Sequence, residues 1–228
     1  RDSVSWPVEL RLLRAAAVVV TPSRWLAASL GNLRPDMGFL PNAIEIGQYP
    51  FRLRQNPAPR LGWLRAFHVI YRPWVAVETL ARVQAMHPQA GLVMVGPDNI
   101  DGSLERTQAR ARELRLEDAV TFAGGVPKAD VPAWLNRADI FLNTTTLESF
   151  GVAALEAAAC GLPVVTTNAG ELPYLWRDGE DALLVPPDDP AAMAAAVLRL
   201  LNEPGLAERL SRNGRAKAEQ VDWAHVLP

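Results

Sequence analysis

Glu148-Ser-Phe-Gly-Val-Ala-Ala-Leu-Glu156 places two carboxylates eight positions apart across a Phe-Gly turn. Before it, Asp139-Ile-Phe-Leu-Asn143 reads as a buried strand. After it, Gly151 to Cys160 reads as an alanine-rich helix that Gly161-Leu-Pro163 stops. Strand, loop and helix N-terminus in that order make an anion site, because the first-turn N–H groups are free and the helix dipole favours negative charge there. Glu148 falls in the loop and Glu156 in the second helical turn, so a carboxylate could hold hydroxyls on either side of a bound phosphate. That arrangement suits a sugar nucleotide.

Spacing alone does not carry the reading. With 13 glutamates in 228 residues about one such pair arises by chance, and Glu105 and Glu113 supply one. The second pair sits in an arginine-dense amphipathic stretch, Ser103 to Leu116, suited to solvated ion pairs. Only the pair at 148 and 156 lies between two apolar strand candidates, the later being Pro163-Val-Val-Thr166. The bland alternative for it is a helix-capping Glu148 with Glu156 facing water.

The rest of the chain alternates in the same way. Strands are predicted at 18–21, 60–64, 91–96, 120–122, 140–143, 164–166 and 182–185. Helices are predicted from Pro22-Ser23 to Leu30 and over 73–86, 103–116, 130–137, 189–201 and 206–220. Gln48 to Pro59 holds three prolines and reads as an irregular linker. The fold class is therefore α/β, a Rossmann-like parallel sheet with helices on both faces and its ligand at the carboxyl ends of the strands. Gly96-Pro-Asp98, Gly124-Gly-Val126 and Glu148 to Glu156 each follow a strand, which puts them along one edge.

Composition narrows the function. A net charge of −2 offers no case for nucleic acid or for an anionic membrane surface. Cys160 is the only cysteine, so no intrachain disulfide forms, and it reads as a small core residue. His68, His87 and His225 lack metal-ligand spacing, no apolar run reaches membrane-span length, and no signal peptide is legible at Arg1. A cytoplasmic location is expected, with membrane contact only peripheral and through another domain. Dinucleotide, P-loop and serine-hydrolase signatures are all missing. Asp98 and Asp101 read as turn formers. The hydroxyls of Asn143-Thr-Thr-Thr146 suit turn-making or ligand contact alike. Of the seven tryptophans, Trp176 is the one expected at the surface.

Residues 148–165 resemble the signature of retaining glycosyltransferases of family 4, the glycosyl transferases group 1. The resemblance continues through Thr166-Thr-Asn-Ala-Gly170-Glu-Leu-Pro and Asp178 to Pro190. Upstream it takes in Val120-Thr-Phe-Ala-Gly-Gly-Val-Pro127, Ala138-Asp-Ile-Phe-Leu142, Val19-Val-Thr-Pro-Ser23 and Leu40-Pro-Asn-Ala-Ile44. It implies the GT-B architecture, two Rossmann-like domains across a cleft, of which this chain carries one half. Residues 1–47 would be the end of an N-terminal domain with the interdomain connection and 48–59 a linker. Residues 60–220 would be the donor-binding domain and 221–228 the start of a crossover helix. An N-terminal acceptor domain is implied in cis or in trans, so the chain would be a fragment, a split subunit or an excised donor domain.

The same resemblance implies a UDP-, GDP- or ADP-linked sugar as donor, retention of configuration, and no metal or other cofactor. Glu156 would bind the ribose hydroxyls and Glu148 those of the transferred sugar. Ser149, Phe150 and Gly151 would face the diphosphate and sugar, and Gly125, Val126 and Lys128 would lie beside the base. Ala66 and Tyr71 depart from the family pattern, which has arginine and lysine there. Arg65 and Arg72 adjoin these positions and are the candidate catalytic cations. Two alternatives stand beside this reading: a non-catalytic nucleotide-sugar-binding or interaction module, which the uncharged Ala66 and Tyr71 favour, and another GT-B enzyme such as a nucleotide-sugar epimerase, which the Phe-Gly turn opposes.

Overall fold

The computed structural model describes residues 6–226. Its centre is a six-stranded parallel sheet of β3 (Arg60–Leu64), β4 (Gly91–Val95), β5 (Val120–Gly124), β6 (Ile140–Asn143), β7 (Val164–Thr167) and β8 (Leu183–Val185). The spatial order is β5-β4-β3-β6-β7-β8. Crossover direction thus reverses between β3 and β6, and the crevice beyond their carboxyl ends is where this sheet type takes ligands.

Side chains alternate between two cores, as strand geometry demands. Ile140 and Leu142 enter one core together with Leu61 and Trp63, while Phe141 and Val164 enter the other. The first core is closed by α3 (Pro73–Gln84), α4 (Ser103–Glu113) and α8 (Pro190–Asn202). The second is closed by α5 (Val131–Leu135) and α6 (Val152–Ala159), with α9 (Leu206–Glu219) lying along α6. The seven residues 153–159 of α6 are all buried, which its run of alanines permits on every side. Gly214 of α9 keeps the two helices close, since a Cβ there would stand 3.3 Å from the Ala158 methyl.

The predicted elements of residues 60–220 are present, with ends moved by a few residues. α4 stops at Glu113 rather than Leu116, and the strand expected from Val18 begins at Val20. A short helix, α7 (Leu172–Leu175), was not predicted. Trp176 corrects another expectation: it is 2 % exposed and packs in the second core. Burial accounts for Cys160 as predicted, and pushes its thiol up to about 11.

Residues 6–47 carry α1 (Trp6–Ala15), α2 (Arg24–Leu30) and a two-stranded parallel pair, β1 (Val20–Thr21) with β2 (Gly38–Phe39). Ser23 caps α2 by accepting from the Leu26 amide at 2.9 Å. Glu171, from the loop after β7, accepts from Ser23 Oγ at 2.9 Å and from the Trp25 amide at 2.8 Å. The chain end returns to the same region: Ile44 bridges Asp222, and α10 (Trp223–Val226) starts where the crossover helix was expected. Residues 1–5 and 227–228 of the expected end segments lie outside the described residues.

The segment 48–59 is irregular, as its prolines require, yet it is bonded along its length. Arg52 donates to Asp139 Oδ1 at 2.8 Å, and Arg60, just beyond the segment, donates to Oδ2 at 2.6 Å. The Ala58 amide donates to the same oxygen at 3.1 Å. Arg54 is buried beside this carboxylate at 3.6 Å and donates to the Arg52 carbonyl and to Asn136 Oδ1. Burial pulls the Arg54 guanidinium down to about 10, the like charge of Arg52 adding to it. Gly161 lets the strap pass, because a Cβ there would lie 2.3 Å from the Arg52 carbonyl oxygen. Removing the Asp139 carboxylate leaves Arg54 buried without its counter-charge. Asp139→Ala is expected to lower unfolding free energy by about 3–5 kcal/mol in urea titration; a loss below about 1 kcal/mol would mean the cluster is not what holds the strap.

Candidate functional site

At the carboxyl edge of the sheet the loops after β3, β4 and β5 and the first turns of α6 enclose an open cavity of about 250 Å³. Arg65 and Ala66 come from the first loop, Gly96 and Pro97 from the second, Val126 and Lys128 from the third. Val152, Ala153 and Glu156 come from α6. The floor depends on one glycine: a Cβ on Gly96, at φ +155°, would stand 1.7 Å from the Arg65 carbonyl oxygen. Gly125 does not line the cavity directly; it packs on Pro97, where a Cβ would meet the ring at 3.3 Å.

The two glutamates are both 3 % exposed, and each has one oxygen fixed. Glu156 Oε1 accepts from the Tyr49 hydroxyl at 2.7 Å and from the Lys128 ammonium. Glu148 Oε1 accepts from Arg65 at 2.9 Å, from the Ser149 amide at 3.1 Å and from the Phe150 amide at 3.3 Å. In both residues Oε2 has no partner among the described residues, and neither is a sealed polar atom. A carboxylate so held turns a free acceptor outward at little cost in order. Burial pulls the Lys128 ammonium down and pushes the Tyr49 phenol up to about 12.

Glu148 is also held by its backbone. Its carbonyl accepts from the Glu171 amide at 2.9 Å, and Gly170, at φ +58°, approaches so closely that a Cβ would stand 2.2 Å from that oxygen. The helix start behaves as predicted: Gly151 is the αL residue before α6, and the Val152 and Ala153 amides at the cavity wall lack partners among the described residues. Phe150 contributes only its backbone, since its ring is 2 % exposed and lies in the second core. Ser149 is exposed beside it.

The two candidate cations part company. Arg65 faces Glu148 and lies over the Tyr71 ring, 4.5 Å from its centroid. Arg72, in an αL conformation at φ 46°, pairs with Asp188 at 2.9 Å and donates to the Val69 carbonyl. The three threonine hydroxyls serve the loop: Thr144 donates to the Tyr71 carbonyl, Thr145 to that of Leu147 and Thr146 to that of Ile70. Asp98 and Asp101 accept from the Ile100, Val69 and Ser103 amides, as turn formers do. Tyr49 was not singled out from the sequence; its only local signal is an aromatic residue with a polar tip inside a proline-rich segment.

A doubly wound parallel sheet of this strand order matches the Rossmann-like half of a GT-B protein in fold. The chain matches the family described as Glycosyl transferases group 1 over residues 71–217, and it belongs to that family. It is similar to the D-inositol 3-phosphate glycosyltransferase of Acidothermus cellulolyticus, 39 % identical over 68 % of this chain and 36 % of that one. It is also similar to the glycogen synthase of Mycobacterium tuberculosis, 33 % identical over 96 % of this chain and 54 % of the relative. The chain thus spans about half the length, or less, of these curated relatives. Among solved structures, sucrose-phosphate synthase from Thermosynechococcus elongatus superposes with a TM-score of 0.85 at 27 % identity, over 99 % of this chain and 59 % of that one. Anabaena HepE in complex with UDP and glucose has the same fold, with a TM-score of 0.89 at 20 % identity over 99 % of this chain and 65 % of that one. No helix among the described residues is long and apolar enough to cross a membrane.

Tyr49 makes the site measurable without a ligand. Its folded-state pKa of about 12 lies above the ordinary 10, so the unfolded chain loses the phenolic proton first. The stabilisation is complete below pH 10 and is lost as pH rises towards 12. Between those values Tyr49→Phe is expected to flatten the fall in stability, followed by urea unfolding at each pH, by up to about 3 kcal/mol. An unchanged alkaline slope in the variant would show that the Tyr49 hydroxyl is solvated rather than buried in the folded chain.

Proposed function

We propose that this chain is the donor-binding portion of a retaining glycosyltransferase, which takes a sugar from a nucleotide sugar and passes it to an acceptor held by an N-terminal domain. The observation that carries the proposal is a pair of buried carboxylates, Glu156 lining the cavity and Glu148 paired with the cavity-lining Arg65, each with Oε1 tied down and Oε2 without a partner among the described residues. Glu156 accepts from the ribose diol and Glu148 from hydroxyls of the transferred sugar. Val126 and Lys128 border the base, and the α6 amides take part of the diphosphate charge. The UDP in the HepE complex supports a nucleoside diphosphate as the ligand class.

Arg65 stands where negative charge grows as the glycosidic bond to the diphosphate breaks. A guanidinium fixed in advance lowers that barrier because it needs no reorganisation at the moment of reaction. Cation and amides together meet the leaving group's charge, so the proposal includes no resident metal. Arg72 drops out of the assignment while Asp188 holds it. The second reading, a nucleotide-sugar-binding module without turnover, draws support from Ala66 and Tyr71, which leave Arg65 as the one guanidinium lining the cavity among the described residues.

Calorimetric titration of the chain with UDP-, GDP- and ADP-glucose and GDP-mannose tests the proposal. One nucleotide class is expected to bind saturably, with Glu156→Ala weakening it by about 10- to 100-fold, the size of a lost hydrogen-bond pair to a charged acceptor. Equal, weak heats for every nucleotide in a folded sample would overturn it. Turnover then separates the two readings: with the N-terminal domain present, Arg65→Ala is expected to lower kcat about 100- to 1000-fold if the enzyme reading holds.

A further inference from the structure

The family pattern puts two cations at the end of the first donor-domain strand, and this chain has Ala66 and Tyr71 there instead. The geometry around Tyr71 points to a different use of the position. Arg65 Cζ lies 4.5 Å from the centroid of the Tyr71 ring, while Arg65 Nη2 is 2.9 Å from Glu148 Oε1. The guanidinium is therefore held between an aromatic face and a carboxylate. Tyr71 itself is fixed by a buried relay, in which the Trp63 indole donates to Thr144 Oγ1 at 2.9 Å and Thr144 Oγ1 donates to the Tyr71 carbonyl at 2.6 Å. Its ring packs against the first core. The Tyr71 amide bonds the His68 carbonyl at 2.9 Å, closing the turn that precedes α3.

We infer that Tyr71 is a positioning residue that aims Arg65 at the diphosphate of a bound nucleotide, replacing a second cation with an aromatic platform. The inference rests on the donor-binding reading above. A lone arginine on a flexible stem binds an anion only after losing its rotamer freedom. Contact with the ring face restricts that freedom before the ligand arrives and leaves the N–H groups at the guanidinium edge to meet phosphate oxygens. Glu148 alone would draw the guanidinium towards itself. The platform gives Arg65 a second contact that survives when the Glu148 pair is exchanged for phosphate. Other cations near the loop are engaged elsewhere, Arg72 by Asp188 and Lys128 by Glu156.

The readout is the ratio of nucleoside diphosphate to monophosphate affinity, measured by calorimetry for UDP with UMP, GDP with GMP and ADP with AMP. Tyr71→Leu keeps apolar bulk and removes the aromatic face. It is expected to cut the diphosphate preference by about three- to tenfold, with the monophosphate affinity unchanged. Tyr71→Phe keeps the face and is expected to stay within about twofold of wild type. Arg65→Ala is expected to remove the preference whichever residue stands at 71. An unchanged ratio in Tyr71→Leu overturns the inference, as does a parallel loss of both affinities, which marks a purely structural residue. A wild-type chain that binds none of the six nucleotides overturns the donor reading itself, and this inference with it.

Discussion

One buried carboxylate, Asp139 at the root of β6, organises the part of the chain that matters for the site. It receives the guanidinium groups of Arg52 and Arg60 and the Ala58 amide, and it offsets the charge of the buried Arg54. A cluster of this kind is a poor source of net stability, since desolvation cancels most of the attraction. Its consequence is geometric: the proline-rich strap between the N-terminal segment and the sheet takes a single path. That path delivers Tyr49 to Glu156, 107 residues away in sequence, and so decides which carboxylate oxygen is anchored and which is left open.

The open edge of the sheet obeys the same economy of charge. Two glutamates, each almost wholly out of water, would repel an anionic ligand if left bare. Each is offset by one cation, Arg65 for Glu148 and Lys128 for Glu156, and by neutral donors from Tyr49 and the loop amides. The result is an edge on which carboxylate acceptors and cationic and amide donors lie side by side. Gly96 and Gly170 make this possible by letting backbone pass where a Cβ would collide with the carbonyls of Arg65 and Glu148.

Much of this was legible in the chain. Strands such as Gly91–Val95 and Ile140–Asn143 are continuous apolar runs because both faces are buried, and helices α8 and α9 follow clear apolar periods. The spacing of Glu148 and Glu156 across a Phe-Gly turn put both at the carboxyl edge of the sheet, because loop and helix start are local, but only Glu156 lines the cavity. Trp176 shows the opposite case: the charged Arg177-Asp-Gly179 beside it suggested exposure, yet the turn folds the indole under α7 into the second core. Arg65 and Arg72 stood as equals in sequence, and only the αL backbone at Arg72 and the nearness of Asp188 separated them.

By itself the sequence determined the parallel α/β sheet, the order of its elements, the edge on which the loops after its strands gather and the family to which the chain belongs. Those follow from period, punctuation and short motifs, all of which are local. The tertiary structure alone decided that the strap is fastened, that Tyr49 anchors Glu156, that Arg65 rather than Arg72 meets Glu148, and that Tyr71 lies beneath it. Such pairings join side chains whose directions are set by packing between distant segments, and no periodicity within either segment encodes them.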